Sequence, residues 1–570
     1  MKGIIIQTKD MMVIRKNRYF ALCGWVGVLV IFFCLYSYIP FQTLSGPLIR
    51  LSSPDETANY YFSKMVGEKM SLGFDEPALA VSKNFIHPRS MTAVVDKVRP
   101  VSFLGLTIFY GVAVKAFGEK ALLFFTPLLA VLAIPFFYLL IRRIFKERVA
   151  LVASLLLLIH PAYWYYTSRS MMHNVLFVDL CIIGFSLLLT QRHFALKFLG
   201  GLFIGASLMV RFSEVIWVFA VLAVLLCFCF RRVKPLGVVA AALGVLIPIG
   251  ALLAMNNQVY GNPISFGYQT VDTSTAIVSL QHSSNLIRSF DFSRIGEIFG
   301  GVIGAAQSLR QYILPFGFAP HIFLQHFMDY AVTMFWWFAP LIVFGVAWSA
   351  REGLIETIRN RRLDDRLILI VILGVIAVWL VIFYGSWLFN DNITKNVTIG
   401  NSYVRYWLPI TVLALPFAAQ CLVYIGERAR GIVRVALISC ICALIVFYSF
   451  RTTLWDGPES LFAVAGHLSL YREKALMMNS LTPPNAIIFS QRSDKIFFPD
   501  RKVAQIFDSY AELPLVPQIL AAYPIYYYGF WTEKDADYVS HRYFEPLHLK
   551  LVYIATFDEN ERLFQVIPLK

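Results

Sequence analysis

Two adjacent carboxylates, Asp55 and Glu56, follow closely after the first long apolar segment of the chain. A carboxylate held in a cavity can accept the proton of an attacking hydroxyl, so this pair is a candidate general base. Two structural alternatives remain open at this stage. Asp55 could cap a helix N-terminus, and Glu56 could be an ordinary solvated side chain.

The composition indicates a membrane protein. Of the 570 residues, 58% are hydrophobic and 15% are charged, which is more apolar surface than a water-soluble chain of this length can bury. The net charge of +15 is distributed in short clusters between apolar segments. This distribution is typical of membrane topology signals and argues against a nucleic-acid partner. All eight cysteines lie in apolar segments, so no disulfide framework is expected.

Apolar length and charge predict about eleven transmembrane helices. The predicted spans are Tyr19 to Ile39, Ala121 to Ile141, Val149 to Tyr166, Val175 to Thr190, Phe194 to Phe212, Val215 to Phe230, Pro235 to Met255, Tyr330 to Ala350, Leu367 to Phe389, Tyr406 to Ile425 and Val435 to Phe450. With the N-terminus inside, every predicted cytoplasmic loop is basic, for example Arg142 to Arg148 and Arg231 to Lys234.

The same alternation excludes Val101 to Phe117 as a span, because its insertion would move the later basic clusters outside. We expect this segment to be an interfacial helix on the outer surface. The predicted organisation is then a transmembrane domain over residues 1–450, with outer loops 40–120 and 256–329. A small extracytoplasmic α/β domain follows over 451–570, with strands near 486–489 and 525–528 and a closing hairpin from Leu549 to Leu569.

An ordered set of short motifs runs through the first 425 residues. It comprises Pro54-Asp55-Glu56 with Tyr60-Tyr61, Arg99-Pro100-Val101, Arg142-Arg143-Ile144-Phe145, His160-Pro161, Ser168-Arg169-Ser170, Gly201 to Gly205 with Arg211, Gly261-Asn262-Pro263 and Arg405-Tyr406-Trp407-Leu408-Pro409. In order and topology this set resembles the polytopic GT-C glycosyltransferases, and among them the protein mannosyltransferase and aminoarabinose transferase group. The chain departs from the group at Met171 to Asn174, where an acidic residue is common.

The resemblance implies an enzyme that transfers a sugar from a polyprenyl-phosphate donor lipid to a protein, lipid or glycan acceptor on the extracytoplasmic face. It implies Asp55 and Glu56 as the catalytic carboxylates. The leaving phosphate needs cations, and the bidentate guanidinium suits its geometry. The arginines predicted at outer helix ends are Arg99, Arg169, Arg211 and Arg405.

Further candidates for substrate binding are Lys83, His87 and Arg89 in one basic run, together with Tyr60 and Tyr406. Simpler structural roles exist for several candidates. The basic run could be a solvated surface, Arg169 and Arg405 could bind lipid headgroups, and Arg211 could form a local ion pair with Glu214, three residues away. No metal-ligand motif is visible, and a divalent cofactor is left open.

Two other classes of function use a similar apolar scaffold. A transporter should have ionisable residues near the middle of its spans, and Asp179 is the candidate of that kind. A noncatalytic lipid-binding protein of the cell envelope would bind the donor lipid without transferring sugar. Membrane lipids are expected partners under all three hypotheses.

Overall fold

The structure is a computed structural model, and it describes residues 23–94, 96–191, 193–229, 234–267, 314, 316–388, 396–506 and 512–569. Most of the predicted outer loop 256–329 lies outside these residues. The described chain is mainly helical, with two small β-sheets.

The helices of the first half are α1 Cys23–Tyr36, α2 Tyr38–Leu44, α3 Pro54–Lys69, α4 Ala78–Ser82, α5 Leu104–Phe117, α6 Leu122–Ile144, α7 Glu147–Ile159, α8 Pro161–Ser168, α9 His173–Thr190, α10 Phe194–Val210, α11 Val215–Cys229 and α12 Pro235–Tyr260. Those of the second half are α13 Pro320–Phe327, α14 Ala339–Asn360, α15 Asp365–Gly385, α16 Ser402–Tyr406, α17 Leu408–Arg428, α18 Gly431–Leu454, α19 Leu461–Leu481, α20 Asp494–Phe497, α21 Val516–Leu520 and α22 Glu533–Val539. Short 3-10 or π-helical turns occur at Glu119–Ala121, Phe212–Glu214, Met328–Thr333, Leu513–Leu515, Ser540–Phe544 and Glu545–Leu547.

A multi-pass membrane architecture is confirmed, but the predicted number of eleven spans is not. Six described helices are long and apolar enough to cross a bilayer, and three bent helix pairs raise the number to nine. The predicted fifth and sixth spans form one of these pairs, bent by 115° between α10 and α11. The predicted eighth span corresponds to α14, whose second half carries the charged residues Arg351, Glu352 and Glu356.

Helix α10, which leads to Arg211, packs closely against α12. A Cβ added at Gly201 of α10 would lie 2.1 Å from the carbonyl oxygen of Ala241 in α12, and one at Gly244 would lie 2.2 Å from that of Phe198. The two backbones therefore touch directly, as small residues permit between membrane helices. Arg211 follows α10 as its C-terminal cap residue.

Between the first and second spans, α3 and α5 pack together beside a three-stranded sheet. Its strands are β1 Phe74–Asp75, β2 Met91–Val94 and β3 Lys97–Pro100, in the order β1-β3-β2 and antiparallel throughout. Helix α5 is shorter than a span, as expected for the predicted interfacial segment. Gly118, at a φ of +80°, ends it.

The C-terminal part contains a mixed five-stranded sheet, in agreement with the predicted α/β character. Its strands are β4 Ile487–Ser490, β5 Lys502–Gln505, β6 Ile525–Gly529, β7 Leu549–Asp558 and β8 Glu561–Pro568, in the order β5-β4-β6-β8-β7. β5, β4 and β6 are parallel, and β7 and β8 form the predicted hairpin. Helix α18 continues through Arg451 to Leu454, so the predicted boundary at residue 451 falls inside a helix.

Both faces of the sheet are buried at its strands β4 and β6. Ile487 and Phe489 face a cluster with α21 and α22, whereas the alternate residue Ile488 faces a cluster that contains Phe62 and Met65 of α3. Alternation along the strand directs neighbouring side chains to opposite faces. The C-terminal sheet is therefore packed on the helix that carries Asp55 and Glu56.

Candidate functional site

Helix α3 begins with a capping box formed by Ser53 and Glu56. The Ser53 hydroxyl accepts a hydrogen bond from the Glu56 backbone N–H, and the Glu56 carboxylate accepts one from the Ser53 N–H at 2.8 Å. Ser53 therefore caps the helix. The alternative that Asp55 is the cap is wrong, and Glu56 is not solvated because its side chain is only 3% exposed.

The same carboxylate of Glu56 is held by Arg169 in a bidentate ion pair. Arg169 Nη2 lies 2.7 Å from Oε2, and Nε lies 3.1 Å from Oε1. Arg169 follows α8 as its cap residue, and it also donates to the Tyr165 hydroxyl at 3.1 Å. With both partners buried, this pair fixes α3 against α8.

Asp55, one residue earlier, is the more accessible carboxylate, with a side chain 33% exposed. Its Oδ1 accepts a hydrogen bond from the Ser90 hydroxyl at 2.6 Å, and its Oδ2 lies 3.3 Å from Arg405 Nη1. Burial alone would raise the pKa of Asp55, but the Arg405 charge and the Ser90 hydrogen bond outweigh burial and lower it. Asp55 is therefore an ionised acceptor with access to a ligand.

Arg405 lies in the short helix α16, which Asn401 caps through a hydrogen bond to the Tyr403 N–H. Besides Asp55, its guanidinium contacts the Ser402 hydroxyl at 3.0 Å and the Met172 sulfur at 2.9 Å. The 3.3 Å separation from Asp55 is longer than the 2.7–2.9 Å typical of a tight charge-assisted hydrogen bond. The contact is also longer than the 2.7 Å contact between Arg169 and Glu56.

Arg211 forms the local ion pair that the sequence offered as an alternative. Its Nη2 lies 2.7 Å from Glu214 Oε1 and donates to the Tyr384 hydroxyl at 2.9 Å, and the Arg211 side chain is 8% exposed. The ring of Tyr406 connects it to the site. The guanidinium carbon of Arg211 lies 4.9 Å from the ring centroid, and that of Arg405 lies 5.1 Å from it.

Four of the predicted residues form no hydrogen bond or ion pair with Asp55 in the described part of the chain. Arg89 is paired with Asp494, at 2.7 Å from Nη2 to Oδ1, and Lys83 is exposed after α4. His87 Nδ1 lies 3.0 Å from the Pro88 carbonyl oxygen. Tyr60 is buried in the helical core near Glu119, and its hydroxyl has no hydrogen-bond partner among the residues that the structure describes.

Arg99 lies in β3, where its side chain is half-buried near Tyr260 at the end of α12. Its Nε has no hydrogen-bond partner in the described part of the chain. Val101, two residues later, donates its N–H to the carbonyl oxygen of Ser90, which places β3 beside the loop that contacts Asp55. Arg99 is therefore a cation near the site but not in contact with Asp55.

Sequence reasoning missed Ser90, Tyr384 and Asp494. Asp494 accepts hydrogen bonds from the backbone N–H and from Nε of Arg89, both at 2.8 Å, and the next residue, Ser90, donates to Asp55. The C-terminal part thus holds the loop that contacts the candidate base. No local pattern marks Asp494, because it is 405 residues from Arg89.

The charged groups of the site are engaged in ion pairs in the part of the chain that the structure describes. Within the described residues, no group of three or more His, Cys, Asp and Glu side chains lies close enough to hold a metal ion. Both oxygens of Glu56 already contact Arg169. The geometry instead combines one accessible carboxylate with an adjacent guanidinium, an arrangement that can bind an anionic group and accept a proton beside it.

Comparisons with known proteins support a glycosyltransferase fold. Residues 98–251 match the sequence model of the dolichyl-phosphate-mannose-protein mannosyltransferase family. No curated protein matches the chain significantly by sequence. The matched segment contains Arg99, Arg169 and Arg211, and it ends before Arg405.

Solved structures match over most of the chain. The oligosaccharyltransferase of Archaeoglobus fulgidus, tethered to an acceptor peptide with an NVT sequon, has a TM-score of 0.54 at 15% identity, covering 89% of this chain and 69% of that one. The oligosaccharyltransferase AglB from Archaeoglobus fulgidus, in complex with an inhibitory peptide and a dolichol-phosphate, has a TM-score of 0.52 at 14% identity, with 90% and 70% covered. ArnT from Cupriavidus metallidurans in the apo state has a TM-score of 0.50 at 13% identity, with 96% and 98% covered. The predicted resemblance is therefore confirmed: the chain has the fold of the GT-C glycosyltransferases and is similar to the protein mannosyltransferase and ArnT group.

Proposed function

We propose that this protein transfers a sugar from a polyprenyl-phosphate donor to a hydroxyl or other nucleophile of an acceptor. The observation that carries the proposal is the contact between Asp55, the accessible carboxylate, and Arg405, a guanidinium that can bind a phosphate. The family match to dolichyl-phosphate-mannose-dependent enzymes supports the donor class, as does the dolichol-phosphate in the similar AglB complex.

In the proposed reaction Asp55 accepts the proton of the acceptor as the nucleophile attacks the anomeric carbon of the sugar. A bond forms between the acceptor oxygen and that carbon, and the bond between the carbon and the phosphate oxygen breaks. The electron pair of the broken bond leaves with polyprenyl phosphate. The proton ends on Asp55, so atoms and charge balance.

Arg405 has two tasks in this proposal, and they are linked. It lowers the pKa of Asp55 while the site holds no donor, and it stabilises the negative charge that grows on the leaving phosphate. A donor phosphate that draws Arg405 away from Asp55 removes the main favourable charge beside that carboxylate. The pKa of Asp55 then rises, which makes it a stronger base when the donor is in place.

The other charged pairs position these two groups. Glu56 and Arg169 fix the start of α3 through their bidentate ion pair. Arg211 packs against the ring of Tyr406, and its guanidinium is already shared by Glu214 and Tyr384. Arg99 is the further candidate for donor binding, since its Nε is unpartnered within the described residues.

We also propose that the site and the C-terminal sheet face the extracytoplasmic side. The alternation of basic loops supports this orientation. Arg50, shortly before Asp55, forms an ion pair with Asp500 of the C-terminal part, so both lie on one side of the membrane. An impermeant thiol reagent should label a cysteine introduced after Arg451 and should not label one in the Arg351 to Arg366 loop. The reverse pattern would overturn the orientation.

The experiment that tests the function compares cell-envelope glycans and lipids from wild-type and deletion strains by mass spectrometry. We expect a sugar to disappear from one acceptor class and the sugar-loaded polyprenyl phosphate to accumulate. A transporter would instead leave the donor on the cytoplasmic side, and a noncatalytic lipid-binding protein would bind the donor without releasing polyprenyl phosphate in a purified assay.

A further inference from the structure

A largely apolar cavity of about 780 Å³ lies between helices α6, α9, α10, α11, α12, α15 and α17. Its walls carry aliphatic and aromatic side chains, including Phe185, Leu188, Val221, Leu225, Ile372 and Ile376. The volume lies in the upper part of the range of small-molecule sites. None of the residues proposed above for sugar transfer lines it.

One end of this cavity is lined by Gln191, Lys234 and Asp365, and we call this end the mouth. It lies at the opposite end of the spans from Asp55. Helix α9 begins with His173, which contacts Asn59 of α3, and ends beside Gln191 at the mouth. Helix α15 begins with Asp365 at the mouth and ends beside Tyr384, the partner of Arg211. At 1.5 Å per residue, both helices separate the mouth from the site by roughly 27–29 Å.

Three cations line the cavity at this end: Arg143 of α6, Lys197 of α10 and Lys234 before α12. None of them has a carboxylate partner within the described part of the chain. Lys197 lies close enough to Arg143 for the two positive charges to repel each other. The acidic side chain of the lining is Asp365, which leaves an excess of positive charge at the mouth.

The backbone keeps Lys197 in this place. A Cβ added at Gly237 of α12 would lie 2.8 Å from Cδ and 3.7 Å from Nζ of Lys197, so the lysine side chain lies directly across this glycine. Its Nζ is 3.4 Å from the carbonyl oxygen of Leu188 on α9. Lys197 therefore bridges three helices next to the apolar wall.

We propose that this cavity binds an anionic glycerophospholipid, with the headgroup phosphate at Arg143, Lys197 and Lys234 and an acyl chain along the apolar wall. The mouth lies at the ends of the spans, where lipid headgroups lie, and converging cations beside an apolar groove complement a phosphate that carries a long hydrocarbon chain. The chain would reach Trp217, which also lines the cavity and donates its indole N–H to Glu214 at 2.6 Å.

The test measures lipid binding to the delipidated full-length protein by native mass spectrometry and by the shift in Tm. The probes are phosphatidylglycerol and phosphatidylcholine with the same acyl chains. We expect one tightly retained phosphatidylglycerol and a higher Tm, with at least tenfold weaker binding of phosphatidylcholine. Each interfacial cation typically contributes about fivefold in affinity for an anionic lipid. The double variant Arg143→Gln, Lys197→Gln should lose most of this preference.

The chain offers a matched control in Arg142→Gln, Arg148→Gln. These cations lie at the same end of the spans, pair with Glu147 and Glu427, and do not line the cavity. The control should keep the preference, as should the charge-conserving variant Arg143→Lys, Lys197→Arg. Equal loss in both neutralised doubles would show general interfacial attraction and overturn the site. Tighter binding of polyprenyl phosphate, with displacement of phosphatidylglycerol, would overturn the assigned occupant.

Discussion

Asp494→Asn is a perturbation far from the candidate base in sequence that should still change its chemistry. The Asp494 carboxylate is 1% exposed and accepts hydrogen bonds from the backbone and the guanidinium of Arg89. The neighbouring Ser90 hydroxyl donates to Asp55 at 2.6 Å. The substitution removes the charge that holds Arg89, and the loop that carries Ser90 then loses its anchor on the C-terminal part.

The expected magnitudes follow from these contacts. A hydrogen bond to a charged group contributes about 1.5–3 kcal/mol to the free energy of unfolding. A value near the lower end applies to Arg89, because its side chain is 22% exposed and can form hydrogen bonds with water after the substitution. We therefore expect a loss of about 2 kcal/mol in unfolding free energy. The loss of the Ser90 hydrogen bond should lower the rate of transfer by roughly tenfold, or about 1.4 kcal/mol.

The assay is polyprenyl phosphate release from a defined donor, measured against pH alongside Tm. Ser90 lowers the pKa of Asp55, so its release should raise that pKa. A carboxylate base is active when deprotonated, and the rate of Asp494→Asn should therefore begin to fall at a higher pH than that of the wild type. The control is Asp500→Asn, which breaks the Arg50 pair between the same two parts of the chain. An unchanged rate and pH profile in Asp494→Asn, or the same shift in Asp500→Asn, would refute the reasoning.

Three further outcomes are expected. Arg405→Ala should reduce sugar transfer by roughly a hundredfold, about 3 kcal/mol. Arg405→Lys should reduce it by less, because lysine retains the charge although it lacks the guanidinium fork that reaches Asp55 and Ser402. Measurements of kcat in which both variants match the wild type would remove Arg405 from the site. Glu56→Gln should leave the buried Arg169 unpaired and cost about 3–5 kcal/mol of stability, and denaturation that stays within about 1 kcal/mol of the wild type would contradict the positioning role. The lowered pKa of Asp55 in the donor-free protein implies a wild-type kcat/KM that stays flat as pH falls from 8 to about 5, whereas kcat/KM of Arg405→Ala should begin to fall at a higher pH because the largest influence that opposes burial is removed; superimposable kcat/KM profiles would contradict this.

Four strands of the C-terminal sheet were predictable because their signals are local, whereas β5 was not predicted. Runs of apolar residues between turn residues gave β4 and β6, and the turn at Asp558 to Asn560 gave the hairpin of β7 and β8. The capping box has an equally local signature, since Ser53 and Glu56 have the required spacing.

The contacts that complete the site have no local signature. Ser90 lies in an irregular segment with a φ of +60°, and Tyr384 lies near the end of an apolar span, where it reads as one aromatic residue among many. The break between α10 and α11 also escaped prediction as a bend, because charge alternation identifies the sides of a membrane and not the angle between two helices. Long-range pairs such as Arg89 with Asp494 require the fold itself.

The most direct test of the central claim is Asp55→Asn in purified full-length protein, with polyprenyl phosphate release and donor-lipid binding measured on the same preparation. The substitution keeps the size and the hydrogen-bonding capacity of the side chain but removes the basic carboxylate. We expect donor binding to persist while release falls by roughly a hundred- to ten-thousand-fold. Asp75→Asn is the matched control, because Asp75 is a surface carboxylate, 79% exposed, that pairs with Lys97; it should retain the wild-type rate. Full release of polyprenyl phosphate by Asp55→Asn would contradict the account.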